Sequence, residues 1–374
     1  MNSYYDRALE LFHDGETNKT EIAKQLISEF KLDLTVEQLR RRVSHYLASQ
    51  KDKALSEECE RQGIPMDQVK QYWFKGKHFS INVKGSDEKM TWDDVKDGII
   101  AEMKAHAPKY PAIARAKRDS EGHLLVIDPA DVHIGKLSMA FETGDDYDSN
   151  IAVQRVREGV RGILDKARGF NIDKILFIGG NDILHIDTPR RTTTSGTPQD
   201  TDGMWYSNFL LAKKLYVEIL EMLMTVADVH FTYNPSNHDY TNGFFLADSI
   251  QSWFCECRHI TFDCSLKHRK YYEYGNSLIG TTHGDGAKTQ DLPLLMAQES
   301  SESWANTKHR YVYTHHVHHK TSKDFIGVTV ESLRSPSGTD GWHHRNGYQH
   351  NPKAIEGFIH SKYFGQVARL THVF

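Results

Sequence analysis

A four-residue apolar run, Ile175-Leu176-Phe177-Ile178, passes straight into Gly179-Gly180-Asn181-Asp182. Apolarity that is continuous rather than alternating over so short a stretch is the pattern of a parallel strand covered on both faces. Strands of that kind end at the crevice where open α/β sheets place their ligands, so the run delivers the Asp182 carboxylate to a site. Taken alone, a strand, a glycine turn and an aspartate also describe an ordinary helix N-cap. What sets this chain apart is that four other segments at strand ends carry metal-ligand residue types: Asp131-Val132-His133, Asn237-His238-Asp239, His283 and His316-Val317-His318.

The 374 residues, 39% apolar and 26% charged, can bury a sizeable core and make two or three domains. A net charge of -4 excludes a uniformly basic nucleic-acid coat while permitting a local basic patch. The four cysteines are too few to staple a chain this long and read as reduced thiols of a cytoplasmic protein. Met1 to Asp6 lacks the basic flank and apolar core of a signal peptide, and no window reaches the roughly 18 apolar residues of a membrane helix, so no membrane association is expected. The 22 histidines, concentrated after residue 230, suit metal binding.

Residues 1–50 read as three short helices: Tyr4 to His13, a second capped by Asn18 and Glu21 through Phe30, and a third capped by Thr35 and Gln38 through Ala48. With Arg40, Arg41 and Arg42 on the last, they form either a helix-turn-helix-like DNA-binding module or a plain three-helix bundle with a solvated charged face. Residues 51–119 read as a connector or small α+β domain. Its interleaved aromatic and basic stretch, Tyr72 to Lys84, suits a strand pair, with bases stacked on the aromatics or, more ordinarily, with those rings packed between domains. Thr91 and Asp94 cap a helix through about His106, and Pro108 and Pro111 mark the boundary. From 120 to 374, strands (Leu124 to Ile127, Ile175 to Ile178, Val229 to Tyr233) alternate with helices (Ile151 to Phe170, Trp205 to Val226), the signature of a mostly parallel sheet. Four closely spaced strands then imply a second, more antiparallel sheet: Lys270 to Tyr274, Leu278 to Thr281, Tyr311 to Tyr313 and Phe325 to Val330. Residues 187–203, rich in Thr, Ser, Gly and Pro, form a long loop of the kind that is functional or disordered.

Asp131 and His133 are two apart, as are His316 and His318, so in an extended segment each pair faces one side and can grip one ion. Two neighbouring cations need a shared anion to offset their repulsion, and Asp182 on the middle strand is the candidate.

The order Asp-x-His, Asp, Asn-His-Asp, His, His-x-His resembles the calcineurin-like metallophosphoesterase family over about residues 123–330. That resemblance implies a four-layer α/β/β/α sandwich. It also implies a first metal on Asp131, His133, Asp182 and His318 and a second on Asp182, Asn237, His283 and His316, with His238 protonating the leaving oxygen. Two cations roughly 3.5 to 4 Å apart would generate the attacking hydroxide and steady an in-line displacement at phosphorus. Ligands without thiolates suit manganese first, then iron, zinc or magnesium. Three turn glycines of the family pattern are replaced, in Asn181-Asp182, Ser236-Asn237-His238 and His315-His316-Val317-His318, while every ligand stays. Asp182-Ile183-Leu184-His185 is similar to a segment of the SbcD-type DNA-repair exonucleases, which makes His185 a second catalytic candidate. Arg190 and Arg191 in the long loop would clamp a backbone phosphate, and Lys136 with Trp342-His343-His344-Arg345 would line the same cleft.

The expectation is a nuclease of repair, recombination or phage type, in a bacterial or phage-infected cell, with DNA as partner. The branch also implies a homodimer and an ATPase partner. The alternative is a phosphomonoesterase or small-nucleotide phosphodiesterase, because the metal set is common to all of these. A DNA-binding regulator with a vestigial site is disfavoured, because no ligand position is missing.

Overall fold

The computed structural model describes residues 4–16, 18–62, 71–75, 80–84, 109–115 and 120–374. The chain divides into two compact units, residues 1–99 and 100–374, and the expected 51–119 connector straddles the division. The helix expected from Thr91 and the boundary at Pro108 lie outside the described residues.

In the first unit, α1 (Tyr4–His13), α2 (Lys19–Phe30) and α3 (Val36–Gln62) share one core. Leu11 and Phe12, Ile22 and Leu26, and Leu39, Val43 and Leu47 meet there at helical spacing. Thr35 and Gln38 close the capping box in both directions, Gln38 N to Thr35 Oγ1 at 3.2 Å and Thr35 N to Gln38 Oε1 at 3.0 Å. The box expected at α2 is corrected. Asn18 Oδ1 does accept from Thr20 N, but the Asn18 N–H goes back to Glu16 and Glu21 pairs with Lys24. The third helix also runs well beyond Ala48, because residues 49–62 are good helix formers and no glycine or proline intervenes before Gly63. The strand pair expected in Tyr72 to Lys84 is present as the antiparallel hairpin β1 (Gln71–Lys75) and β2 (Ser80–Lys84). Among the described residues no helix is long and apolar enough to cross a membrane.

The second unit opens with β3 (His123–Asp128), a short turn α4 (Ala140–Thr143), α5 (Ser149–Lys166), β4 (Ile172–Gly180), α6 (Trp205–Met224), β5 (Asp228–Asn234), α7 (Tyr240–Trp253) and β6 (Ile260–Asp263). There follow β7 (Lys270–Tyr274), β8 (Ser277–Thr282), α8 (Leu292–Glu299), α9 (Ser301–Asn306), β9 (His309–Thr314), β10 (Thr321–Phe325) and β11 (Val328–Ser332). The chain closes with α10 (Gly341–Arg345), β12 (Ala354–Ser361) and β13 (Gly365–Val373). One sheet has six strands in the order β13-β12-β3-β4-β5-β6, parallel from β3 to β6; the other has five, β10-β11-β9-β8-β7. The expectation of a more antiparallel second sheet is corrected at its centre. There β8, β9 and β11 run parallel and only the edge pairs are antiparallel, because α8 and α9 carry the chain back between β8 and β9. Sequence reasoning also passed over α7, β6, β12 and β13.

Alternation along the central strands builds the layers. Leu125 and Ile127, with Ile175 and Phe177, face α5, α6 and α7, whereas Leu124 and Val126, with Leu176 and Ile178, face Tyr274, Ile279 and Tyr313 of the second sheet. Val312, Val328 and Val330 on the far side of that sheet pack on Leu292 and Met296 of α8. The result is helix, sheet, sheet, helix, the four layers expected. Leu176→Ala removes a fully buried side chain from between the sheets and is expected to cost about 2 to 5 kcal/mol. A thermal melt should show the second unit's midpoint falling by several degrees, and an unchanged midpoint would contradict this packing.

Candidate metal centre

Every ligand-bearing segment leaves the carboxyl end of a strand. Asp131 and His133 follow β3, Asp182 follows β4, Asn237 and His238 follow β5, His283 follows β8, and His316 and His318 follow β9. The first two of these loops are zipped together by backbone bonds, Asp131 N to Asn181 O at 2.8 Å and His133 N to Asp182 O at 2.9 Å.

The extended geometry expected for the two-residue spacings is corrected by the backbone. Asp131, His133, Asn181, Asp182, His316 and His318 all have φ between 50° and 69°, and they are six of the nine described non-glycine residues with positive φ. Each such residue costs of order 1 to 3 kcal/mol and persists only where its surroundings hold it, which is characteristic of functional sites. Both members of each pair are left-handed, so they converge by curling rather than by strand alternation.

Asp131, His133 and His318 bring ligand atoms within 4.8 Å of one another, and so do Asp182, His283 and His316. In the first group His133 Nε2 and His318 Nε2 are 3.3 Å apart, and His318 Nε2 is 3.7 Å from Asp131 Oδ1. In the second, His283 Nε2 stands 3.2 Å from Asp182 Oδ2 and 2.9 Å from Asn237 Oδ1, which adds Asn237 to that group. The two groups adjoin, since His283 Nδ1 is 4.0 Å from Asp131 Oδ1. All seven expected ligands are therefore brought together. His133, His185 and His238 make a third group at the same spacing.

The residues fit divalent cations. The donors are carboxylate, imidazole and amide oxygen, and among the described residues no cysteine joins the groups. The His283 Nδ1 atom is buried without a hydrogen-bond partner. Burial, reinforced by neighbouring cationic groups, holds His133 and His318 well below the usual imidazole range, so both offer lone pairs at neutral pH. Burial raises Asp131 to about 7, with the nearby Asp182 adding to the rise. For His283, burial disfavours the charged form, but the Asp182 and Asp131 carboxylates outweigh it and lift the ring to about 9. Asp182 goes the other way: burial is outweighed by His283 and His238, and the carboxylate stays ionised.

The three replaced glycines each supply something. Asn181 adopts the left-handed φ of 57° required there, which Asn tolerates better than most residues other than glycine. The Ser236 hydroxyl accepts from Asp182 N at 2.8 Å and donates to Asp239 Oδ1 at 2.6 Å, while Asp239 Oδ2 accepts from Leu184 N at 2.8 Å. His315, buried, bridges Thr282 O at 3.0 Å and Asp128 Oδ2 at 2.9 Å. Ser236, Asp239, Asp128 and His315 were missed as supporting residues, although each lies within three positions of a ligand. Their signal was polarity in places where a strand end alone would be apolar or glycine.

His238 N donates to Asp182 Oδ1 at 2.9 Å, and His238 Nδ1 donates to the His185 carbonyl at 2.9 Å, which commits that ring nitrogen. His185 is buried, stacked on His238 at 5.2 Å, with its Nδ1 3.3 Å from His133 Nδ1. Loop 187–203 is bonded into place: Asp187 caps α7 through Thr241 N and Asn242 N and accepts from Thr194 Oγ1. Arg190 and Arg191 stand exposed on it. Lys136 is buried against Asp340 at 2.8 Å, and His343 stacks on His318 at 5.0 Å. Arg40 and Arg41 belong to the first unit and share Glu37 as their partner.

No family model and no curated protein matches the chain. Among solved structures it is similar to a conserved protein of Streptococcus pneumoniae described as a predicted phosphoesterase, at 13% identity over 68% of this chain and 100% of that one, with a TM-score of 0.27. It is also similar to Vps29 of Entamoeba histolytica complexed with zinc (13% identity, 67% of this chain, 98% of that one, TM-score 0.28) and to vacuolar protein sorting 29 of Cryptosporidium parvum (11%, 68%, 99%, TM-score 0.30). Likenesses this distant carry no weight beside the geometry of the site.

Because metal must displace protons from His283 and Asp131, raised to about 9 and about 7, affinity should tighten as pH rises from 6 to 9. Calorimetric titration with manganese in buffers of different ionisation enthalpy should show proton release. An affinity independent of pH would contradict the assignment of His283 as a ligand.

Proposed function

We propose that residues 100–374 hydrolyse phosphodiester bonds with two divalent cations, manganese the first candidate, and that the natural substrate is DNA. The observation that carries this is the adjoining pair of ligand groups, Asp131-His133-His318 and Asp182-Asn237-His283-His316, with the His238 ring beside them, 4.7 Å from that of His133. Cations held there supply a nucleophilic water at neutral pH and offset the charge that develops on phosphate oxygens.

The chain's own residues do the rest. Asp182, ionised and fixed through its backbone N–H by Ser236, provides the anion that both groups can share. Two bonds orient His238: its N–H binds the Asp182 carboxylate and its Nδ1–H binds the His185 carbonyl, which commits Nδ1 and leaves Nε2 as the ring nitrogen to serve the leaving oxygen. His185 stacks on His238 and meets His133 edge-on, so the first group and the acid share one cluster of rings. The exposed Arg190 and Arg191, and Arg40, Arg41 and Arg42 on the first unit, support DNA over a small ester, since fixed cations suit a polyanionic backbone.

Purified full-length protein with manganese should cleave linear DNA in preference to nucleoside monophosphates. Asp182→Asn and His238→Ala should each lower turnover by about 100-fold or more. Full activity in both variants would sink the enzyme reading, and activity confined to monophosphates would replace the nuclease by a phosphomonoesterase. Alanine at Arg40, Arg41 and Arg42 should weaken DNA binding and flatten its dependence on salt. An unchanged slope would remove the first unit from DNA recognition.

A further inference from the structure

Beside the ligand groups, residues 340–348 carry side chains to which hydrolysis gives no task. Asp340 accepts from the buried Lys136 Nζ at 2.8 Å and from His343 Nδ1 at 2.7 Å, and it caps α10 through His343 N at 2.8 Å. His343 lies flat on His318, at 15° between ring planes. Trp342 meets His343 edge-on at 5.1 Å and stacks on Tyr348 at 5.7 Å and 26°. Yet Trp342 is 63% exposed and Tyr348 57% exposed. Nearby, α4 packs against α10, with Gly341 against Glu142, and Phe141 of α4 is fully exposed. Large aromatics standing in water, on a segment anchored by a buried ion pair, are the reverse of what burial alone selects.

We propose that Trp342 and Tyr348 form a subsite for an unpaired nucleobase of the substrate, on the His318 side of the metal centre. The inference rests on the hydrolytic reading for the phosphate and adds to it the recognition of the base. An aromatic platform stacks any base because every base has a π-face. The platform is two ring contacts from His318, so one strand can place its phosphate at the ligand groups and its base on Trp342. Arg345, exposed on the same helix, adds a cation for a neighbouring phosphate. The Lys136–Asp340 anchor fixes the segment before binding, which lowers the ordering cost. In a duplex the faces of a base are already stacked, so the subsite selects single strands or frayed ends.

The test is affinity, read by fluorescence anisotropy on the full chain carrying His238→Ala, with manganese, for an oligothymidylate and for an abasic oligomer of equal length. Adding Trp342→Ala should weaken oligothymidylate binding about tenfold, equivalent to ~1.4 kcal/mol, and leave the abasic oligomer unaffected. Trp342→Phe should retain most of the affinity. Equal losses for both oligomers, or no loss for either, would overturn the subsite. So would sedimentation showing that Trp342→Ala converts a dimer to a monomer, since the platform would then be covered by a second copy. If the wild-type chain hydrolysed no phosphoester, the proposed activity would fail separately, because the contrast between the two oligomers does not depend on turnover.

Discussion

Two carboxylates, Asp131 and Asp182, sit almost wholly out of water at one rim of the sandwich, and among the described residues neither forms an ion pair with a lysine or arginine. An isolated buried carboxylate is costly, so the surroundings must either supply compensating charge or leave the group protonated. Both solutions are present. Asp182 is held ionised by His283 and by the His238 N–H, while burial pushes Asp131 up to about 7 although it accepts from the His316 N–H. The rest of the second unit can be understood as what is needed to hold that arrangement. Parallel strands deliver the loops, left-handed residues curl the side chains inward, and Ser236, Asp239, His315 and Asp128 brace them from behind.

Much of this was legible in the chain. Short apolar runs ending in Asp, His or Asn located the strands and the seven candidate ligands, because residues that must converge at a sheet mouth have to stand at strand ends. The backbone geometry was not legible. A two-residue spacing suggests an extended segment, whereas Asp131, His133, His316 and His318 all adopt positive φ, a state imposed by bonds such as Asp131 N to Asn181 O that pair residues fifty positions apart. The supporting shell was hidden for a similar reason: Ser236 and His315 looked like lost glycines until their partners were known.

Two departures from the expected fold have different physical origins. The close spacing of the strands after residue 270 suggests a more antiparallel sheet, whereas the apolar stretch Leu292 to Met296 forms a helix that makes the β8 to β9 connection a crossover and the sheet centre parallel. The C-terminal strands β12 and β13 were overlooked although Ala354 to Ser361 is buried throughout, because Glu356 and His360 interrupt its apolar pattern. Glu356 is paired with Arg334 and Arg369, and His360 Nε2 meets the Tyr313 hydroxyl at 2.9 Å, so tertiary partners that the sequence does not announce hold these residues in a central strand. In the first unit, Glu37 pairs with two of the three arginines that gave the third helix its basic character. The basic character of that helix is therefore partly offset by exposed ion pairs within the helix itself.

The central claim is that these side chains cage two cations around one shared carboxylate. Anomalous diffraction from crystals grown with manganese tests it most directly. The account predicts two peaks in the wild-type chain, one bordered by Asp131, His133 and His318 and the other by Asn237, His283 and His316, with Asp182 touching both and both peaks lost in Asp182→Ala. A single peak, or two that survive that substitution unchanged, would contradict it.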